Sequence, residues 1–333
     1  MTNIIVSAIT NKEINCKQAM KAVQILGDKA APQVRFTTTL SPPSPTSSEI
    51  LIRVAAAGVT ADEVTWPELY ETSNRVPGHD VSGTVHALGP AYTGPLKVGD
   101  EVFAMIDADR GMGMAEFAIL AESEAAKKPA TVSHAQAAAL PIPLLTAWEA
   151  AHRHLRLEKG ARVLVTGASG AVGRVFVQIA ARVIGADVVA LASAERMEMV
   201  KEMGAASVLD YKEQGWEDKV GKIDAVFDTV GGNVLKKCWM AVKEDGALVT
   251  VGDPAPDWAF GRGEPEELKL KPGVRALHFI VEADGKALDE VGRLVESGVV
   301  GALDVREFKA EEAVEAWEFA GTRGRTEKAV VAF

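Results

Sequence analysis

One stretch near the middle of the chain constrains its fold more than any other. Val163, Leu164 and Val165 form a short apolar run of the kind found in a parallel strand buried on both faces. Gly167, Gly170 and Gly173 follow, and apolar residues then recur at helical intervals. A strand, a glycine turn and a helix can also form an ordinary tight connection, so the stretch alone leaves that alternative open.

The residues of this turn suit a phosphate group. Glycines let the backbone approach an anion closely, and the first N–H groups of a helix are free to donate to it. Ser169 adds a hydroxyl donor. We therefore expect the pyrophosphate of a dinucleotide to bind at one set of residues: Gly167, Ser169, Gly170, Ala171, Val172 and Gly173.

Buried strands continue after the turn and alternate with helical stretches that carry Lys and Glu. The predicted strands are 186–192, 205–209, 223–228, 247–251 and 277–281. Repeated strand–helix–strand units of this kind form a doubly wound parallel sheet, so the predicted fold class of this half is α/β, of the Rossmann type.

The end of the second strand bears on the choice of cofactor. Sites for NAD usually carry Asp or Glu about 20 residues after the glycine turn, to bind the ribose 2′-OH. Here Ser193 ends the strand and Arg196 follows within one turn, and both would bind a 2′-phosphate that a carboxylate repels. We predict NADPH rather than NADH. The alternative is that Arg196 is solvated and Glu195 binds the ribose.

The composition argues against several classes of protein. A formal net charge of −10 argues against nucleic acid or an anionic membrane as the main partner. The only cysteines, Cys16 and Cys238, exclude a disulfide framework and a multi-cysteine zinc site. No apolar run reaches the roughly 18 residues of a membrane span, and residues 1–10 lack the features of a signal peptide. We expect a cytoplasmic protein with a small-molecule substrate.

Short strands with glycine-containing turns precede the Rossmann-type half and predict a small, partly open β-barrel. Residues 1–19 read as an extension, and two helices, 134–140 and 144–156, lead into the glycine turn. The last predicted strand, 329–333, is expected to return to the barrel.

Ordered motifs along the chain resemble those of a known superfamily. They include Ala56-Ala-Gly-Val59, Pro77-Gly-His-Asp80, Lys97-Val-Gly-Asp100, Ala138-Ala-Leu-Pro141, Leu145-Thr-Ala147, Asp228-Thr-Val-Gly-Gly232 and Val249-x-x-Gly252. The chain resembles the zinc-free, quinone-oxidoreductase-like branch of the medium-chain dehydrogenases/reductases. The resemblance implies a GroES-like domain (residues 20–135 and 300–333), a Rossmann domain (136–299), an active site in the cleft between them and a homodimer.

The resemblance also identifies where a catalytic zinc would bind. Zinc-dependent relatives use two Cys and one His at the positions of Thr60, His79 and Ile142. One imidazole cannot hold a catalytic zinc, which needs about three protein ligands. We therefore expect no metal, and His79 is either a hydrogen-bonding residue of the barrel or a polar contact for substrate.

The activity implied by the resemblance is hydride transfer from NADPH to a quinone or to the C=C bond of an α,β-unsaturated carbonyl compound. Such a substrate needs positioning, a donor at the carbonyl oxygen and a proton source. Thr60 occupies the position of an Asn in quinone reductases and can still donate. Tyr70 is a second candidate donor, or a loop tyrosine packed with Trp66 and Pro67. Asp62 and Glu63 either orient a neighbour or are solvated.

Further cofactor contacts are implied by the resemblance alone. Thr146 would lie near the nicotinamide, Tyr211 near the adenosine phosphate and Gly252 at the cofactor's edge, while Phe279 and Ile280 would meet the carboxamide. Core packing is the alternative for each. Two other functions remain open: a trans-acting enoyl reductase of a biosynthetic pathway, and a nucleotide-binding interaction protein with little turnover.

Overall fold

The computed structural model describes residues 19–333. The extension predicted for residues 1–19 lies outside the described residues except for Ala19, and so does Cys16. The described chain forms a two-stranded hairpin, a seven-stranded sheet and a six-stranded sheet. None of its helices is both long and apolar enough to cross a membrane.

Short strands dominate the first part of the chain. They are β1 (Met20–Leu26), β2 (Gln33–Leu40), β3 (Ile50–Gly58), β4 (Asp80–Leu88), β5 (Glu101–Met105), β6 (Phe117–Leu120) and β7 (Ala125–Lys127). The helices here are α1 (Pro67–Glu71), α2 (His134–Ala138) and α3 (Pro141–Glu149), which continues as a π-helical turn over Ala150–His154.

Strands and helices alternate in the central part. The strands are β8 (Arg162–Val165), β9 (Asp187–Ala192), β10 (Ser207–Asp210), β11 (Ile223–Asp228), β12 (Val242–Thr250) and β13 (Arg275–His278). The helices are α4 (Ala171–Gln178), α5 (Met197–Glu202), α6 (Trp216–Lys219), α7 (Gly232–Ala241) and α8 (Gly285–Glu296). These strands pair in parallel in the order β10-β9-β8-β11-β12-β13. The order reverses direction at β8, and ligands of such sheets bind beside the carboxyl ends of the strands at that point.

The end of the chain returns to the first sheet through β14 (Val305–Lys309), α9 (Ala313–Gly321) and β15 (Lys328–Ala332). One edge of β3 is shared, because its first residues pair with β6 and its last residues pair with β15. The sheet order is β14-β15-β3-β4-β5-β7. Strands β14 and β7 end this order without pairing to each other, which gives a partly open barrel. The predicted fold class, a GroES-like barrel with a Rossmann domain, is confirmed.

Strand boundaries differ most from the sequence prediction at two places. Strand β12 begins at Val242 rather than at residue 247, because the polar residues before the buried run continue the extended backbone. Strand β13 covers Arg275–His278 rather than 277–281, so Phe279 and Ile280 follow the strand instead of belonging to it.

Helix α8 packs the two parts of the chain together. Leu288 and Val291 of α8 belong to the same buried apolar cluster as Phe103 of β5 and Val165 of β8. The contact is close, since a Cβ on Gly292 would lie 3.2 Å from Cζ of Phe103. This shared core joins the barrel to the Rossmann sheet.

Candidate active site

The turn between β8 and α4 can be built only from glycine at two positions. Gly167 has a φ of +58°, and a Cβ there would lie 2.3 Å from Oγ1 of Thr229. A Cβ on Gly173 would lie 2.2 Å from the carbonyl oxygen of Gly167, so Gly173 lets the helix approach the strand. No side chain caps the start of α4. Its first N–H groups therefore remain available to an anion, because a helix cannot satisfy them internally.

The buried carboxylate of Asp228 accepts hydrogen bonds from residues next to this turn. Oδ1 of Asp228 accepts a hydrogen bond from the hydroxyl of Thr166 at 2.5 Å, and Oδ2 accepts one from the hydroxyl of Thr250 at 2.7 Å. Oδ2 also accepts from the backbone N–H of Gly231 at 2.9 Å. Asp228 is fully buried and so ties together the ends of β8, β11 and β12. The sequence showed the motif but not this role.

A cleft of about 770 Å³ runs from the glycine turn to the barrel. It brings together most of the predicted phosphate-turn and strand-tip residues with one predicted catalytic residue. The predicted residues that line it are Thr60, Gly167, Ser169, Gly170, Ala171, Val172, Ser193, Arg196 and Tyr211.

The residues after β9 include both candidate partners of the cofactor's ribose: the Ser193 and Arg196 pair predicted to bind a 2′-phosphate, and the Glu195 carboxylate that could bind a 2′-OH. The hydroxyl of Ser193 donates to Oε2 of Glu195 at 3.4 Å, and both residues line the cleft. Arg196 also lines it, and its Nη2 donates to the carbonyl oxygen of Gly324 at 3.4 Å. Arg196 is therefore directed into the cleft rather than into solvent alone.

This end of the cleft is also lined by basic residues that the sequence analysis did not identify. They are Arg174, Lys212, Arg323, Arg325 and Lys328. The acidic side chains of the lining are Asp62, Glu195 and Glu327. Within residues 19–333, no ion pair is formed by Arg196, Lys212, Arg323 or Arg325. Partial desolvation lowers the pKa of Arg325. Uncompensated cations in an acidic protein indicate an anionic ligand.

Lys328 and Asp80 form a buried ion pair beside the cleft. Nζ of Lys328 lies 2.5 Å from Oδ2 of Asp80, and Oδ1 of Asp80 accepts from the N–H of Ile142 at 2.7 Å. Full burial raises the pKa of Asp80, and the Lys328 ammonium and this N–H act in the opposite direction. Asp80 thereby links β4, the start of α3 and β15.

His79 and Glu63 form a second buried pair. Nδ1 of His79 lies 2.8 Å from Oε1 of Glu63, which also accepts from the N–H of Gly78. Glu63 is fully buried and orients its neighbour, while Asp62 is exposed. Burial alone would lower the pKa of His79, but attraction and hydrogen bonding to Glu63 outweigh it, so the pKa is raised. His79 does not line the cleft and has the environment of a hydrogen-bonding residue of the barrel.

The remaining predicted residues also lie outside the cleft lining. The Tyr70 hydroxyl donates to the carbonyl oxygen of Val64 at 2.8 Å, which makes it a local loop contact. Thr146 is buried within α3, and Gly252 packs against Gly231, which a Cβ would approach to 2.3 Å. Phe279 contacts the ring of His154 at a centroid distance of 4.4 Å, and Ile280 is exposed.

The residues present do not fit a catalytic zinc. Thr60 and Ile142 supply no ligand of the kind that the zinc-dependent relatives use, and His79 is engaged by Glu63. Across residues 19–333, no group of three His, Cys, Asp or Glu side chains could hold a metal ion.

Two family models match the chain. The model described as an alcohol dehydrogenase GroES-like domain matches residues 46–130, and the model described as a zinc-binding dehydrogenase matches residues 203–331. Together they cover strands of both large sheets.

Named relatives and a solved structure extend this match. The chain is 30% identical to the 2-methylene-furan-3-one reductase of Solanum lycopersicum, over 98% of this chain and 82% of that one. It is 34% identical to the NADPH-dependent alkenal/one oxidoreductase, chloroplastic, of Arabidopsis thaliana, over 77% of this chain and 63% of that one. The structure of the quinone oxidoreductase from Coxiella burnetii superposes with a TM-score of 0.81 at 25% identity, over 94% of this chain and 99% of that one.

Proposed function

The chain belongs to the medium-chain dehydrogenase/reductase superfamily, as a quinone-oxidoreductase-like oxidoreductase, and on this premise we propose that it transfers hydride from NADPH to a quinone or to the C=C bond of an α,β-unsaturated carbonyl compound. The observation that carries the proposal is the cleft, which joins the glycine turn to Thr60 and is lined by uncompensated cations. The names of both relatives support the substrate class.

The charges of the cleft support NADPH as the cofactor. The N–H groups at the start of α4 and the hydroxyl of Ser169 would hold the pyrophosphate. Arg196, Lys212 and Ser193 would hold a 2′-phosphate near the tip of β9. Ser193 donates to Glu195, the carboxylate that could bind the ribose of NADH, but the cleft lining contains more cationic than acidic side chains, which favours a 2′-phosphate.

When bound, NADPH would supply the hydride for the reduction. As the β-carbon of the substrate is reduced, negative charge builds up on the carbonyl oxygen, and Thr60 donates its hydroxyl hydrogen bond there. Water provides the proton that completes the reduction at the α-carbon. Val59, Ile142 and Pro143 also line the cleft and would provide an apolar wall for the substrate beside Thr60. No metal ligand set is required, in keeping with a substrate that is already activated.

We further propose that the active form is a homodimer. Strand β13 is the last strand of its sheet order and pairs with β12 on one side. Leu270, Leu277 and Ile280, in and around this strand, expose apolar surface. A second copy of the strand would cover both the free edge and these side chains.

A substrate panel tests the proposed activity. Purified protein would be given NADPH with 1,4-benzoquinone, with an alkenal and with a cyclic enone, while NADPH absorbance is followed with and without a chelator. We expect saturable, chelator-insensitive oxidation of NADPH with at least one of them. Binding of NADPH without turnover of any would favour the nucleotide-binding interaction protein instead.

The mass of the protein in solution tests the dimer. Light scattering would be compared for the wild type and for a variant with Leu277→Lys, which adds a charge to the exposed edge. We expect a dimer that dissociates in the variant. A monomeric wild type would contradict the proposal.

A further inference from the structure

The loop between α9 and β15, residues 322–327, lies over the nucleotide end of the cleft. The loop connects two elements of the barrel part of the chain. Four of its residues nevertheless line the cleft: Arg323, Gly324, Arg325 and Thr326. Arg325 donates from Nη1 to the carbonyl oxygen of Thr322 at 3.1 Å, a contact within the loop itself. Two flexible cationic side chains on one short loop need an external anchor to meet a ligand in a defined place.

Arg174 on α4 provides the buried anchor of the loop, in addition to the longer 3.4 Å contact between Arg196 and the carbonyl oxygen of Gly324. Its Nη1 donates to the carbonyl oxygen of Thr326 at 2.9 Å, and its Nη2 donates to Oδ2 of Asp304 at 3.1 Å. The side chain is 9% exposed. Although Arg174 lines the cleft, both terminal nitrogens are already engaged, so it is poorly placed to serve as a phosphate ligand itself.

A second side chain of α4 contacts the segment just before β14, which also contains Asp304. Gln178, one turn further along α4, donates from Nε2 to the carbonyl oxygen of Arg174 at 3.0 Å. Its Oε1 accepts from the N–H of Gly301 at 2.8 Å. The start of α4, which faces the pyrophosphate, and the 322–327 loop are thus connected through one guanidinium.

We propose that Arg174 is a positioning residue that fixes the 322–327 loop so that Arg323 and Arg325 bind the phosphate groups of the nucleotide. The inference rests on the proposed function. It goes beyond it by assigning part of the cofactor affinity to a loop of the barrel and to the buried arginine, Arg174, that positions this loop. Ordering these side chains before binding reduces the entropy cost of binding.

Limited proteolysis tests the positioning without any cofactor. Trypsin cleaves after arginine, so the bonds after Arg323 and Arg325 report how often the loop opens. In Arg174→Met we expect cleavage at these two bonds to be roughly fivefold faster or more, because cleavage follows the open population. Arg162→Met is the matched control, since Arg162 also donates to one carboxylate, that of Asp187, and to one backbone carbonyl oxygen, that of Val220. It should leave these two cleavage rates unchanged.

Binding measurements test the consequence for the nucleotide. Arg174→Met should weaken NADPH roughly 5- to 20-fold, as for a lost charged hydrogen bond, with kcat unchanged, and Arg174→Lys should restore part of the loss. In a background of Arg323→Met and Arg325→Met, the same substitution should change affinity less than about twofold, because coupled residues are not additive.

The outcomes separate the two proposals. Unchanged proteolysis in Arg174→Met, or an equal loss of affinity in both backgrounds, would overturn the positioning role. Wild-type protein that fails to bind NADPH would overturn the proposed function, whatever the proteolysis shows.

Discussion

Nζ of Lys328 lies 2.5 Å from Oδ2 of Asp80, across 248 positions of the chain. The pair joins the last strand of the barrel to the motif that contains His79, and both side chains are buried. Removing one partner of a buried pair leaves an uncompensated charge, whereas removing both often costs little.

Lys328→Met should therefore lower the free energy of unfolding by about 3–5 kcal/mol. Asp80→Asn combined with Lys328→Met should recover most of that loss, because Asn keeps an acceptor for the N–H of Ile142. Urea unfolding measures the free energy of unfolding of the single and the double variant. The exposed pair of Lys219 and Glu213 has the same 2.5 Å separation and is the control. Lys219→Met should cost no more than about 1 kcal/mol, and a similar cost for Lys328→Met would contradict the argument.

Discrimination between NADPH and NADH should depend on the tip of β9. Arg196→Ala should weaken NADPH by about 10- to 100-fold and leave NADH nearly unchanged, because only NADPH carries the 2′-phosphate. Glu195→Ala should have the opposite selectivity and weaken NADH if that carboxylate binds the ribose. Titrations followed by tryptophan fluorescence measure the affinities of both cofactors for the wild type and for both variants. Equal binding of both cofactors by the wild type would make the NADPH assignment wrong.

Gly167→Ala should abolish nucleotide binding and destabilise the protein by about 1–3 kcal/mol. The added Cβ meets Oγ1 of Thr229 at 2.3 Å, and the φ of +58° disfavours any L side chain. Gly321→Ala is the control, since a Cβ there meets nothing within 4 Å and the φ is not positive. Calorimetry and NADPH titration should separate the two variants clearly. A Gly167→Ala protein that binds like the wild type would rule out a close phosphate approach.

The pair of His79 and Glu63 should make stability depend on pH. The raised pKa means that folded His79 keeps its proton at pH values where the unfolded chain, with a pKa of about 6.5, has lost it. The free energy of unfolding should therefore be greatest below about pH 6.5 and fall as pH rises through the folded pKa of His79. His79→Gln should remove this slope. Exposed His86 provides a matched substitution, His86→Gln, that should keep it, and a slope that survives His79→Gln would contradict the assignment.

Sequence patterns predicted the elements whose environment is local. A buried apolar run before three glycines was enough to predict β8, the turn and α4, because each of these depends on neighbouring residues. The strands of both sheets followed from the same kind of pattern, with errors where polar residues extend a strand, as at the start of β12. Ser193 and Arg196 were found because a strand tip lies at a fixed distance from the turn.

The missed residues reach the cleft only through tertiary structure. The return of the last strand to the barrel was predicted. Nothing in the local sequence, however, indicates that this strand pairs with β3 and brings Lys328, Arg323 and Arg325 to the cleft. Glu63 could not be separated from a solvated carboxylate, since its burial depends on His79 and Gly78. An arginine followed by glycine and a second arginine was the available signal for the loop, but such a sequence is common on surfaces.

The pairing of β15 with β3 also has a consequence for the order in which the molecule is made. A ribosome releases the strands of the central sheet before residues 328–332. The last residues of β3 therefore have no partner on one edge until these residues are made. The Rossmann sheet can thus form during synthesis, while the barrel stays open at the end of β3 until residues 328–332 have been made. A truncated or stalled chain would present that edge to its neighbours, so early termination should lead to aggregation rather than to a partly active enzyme.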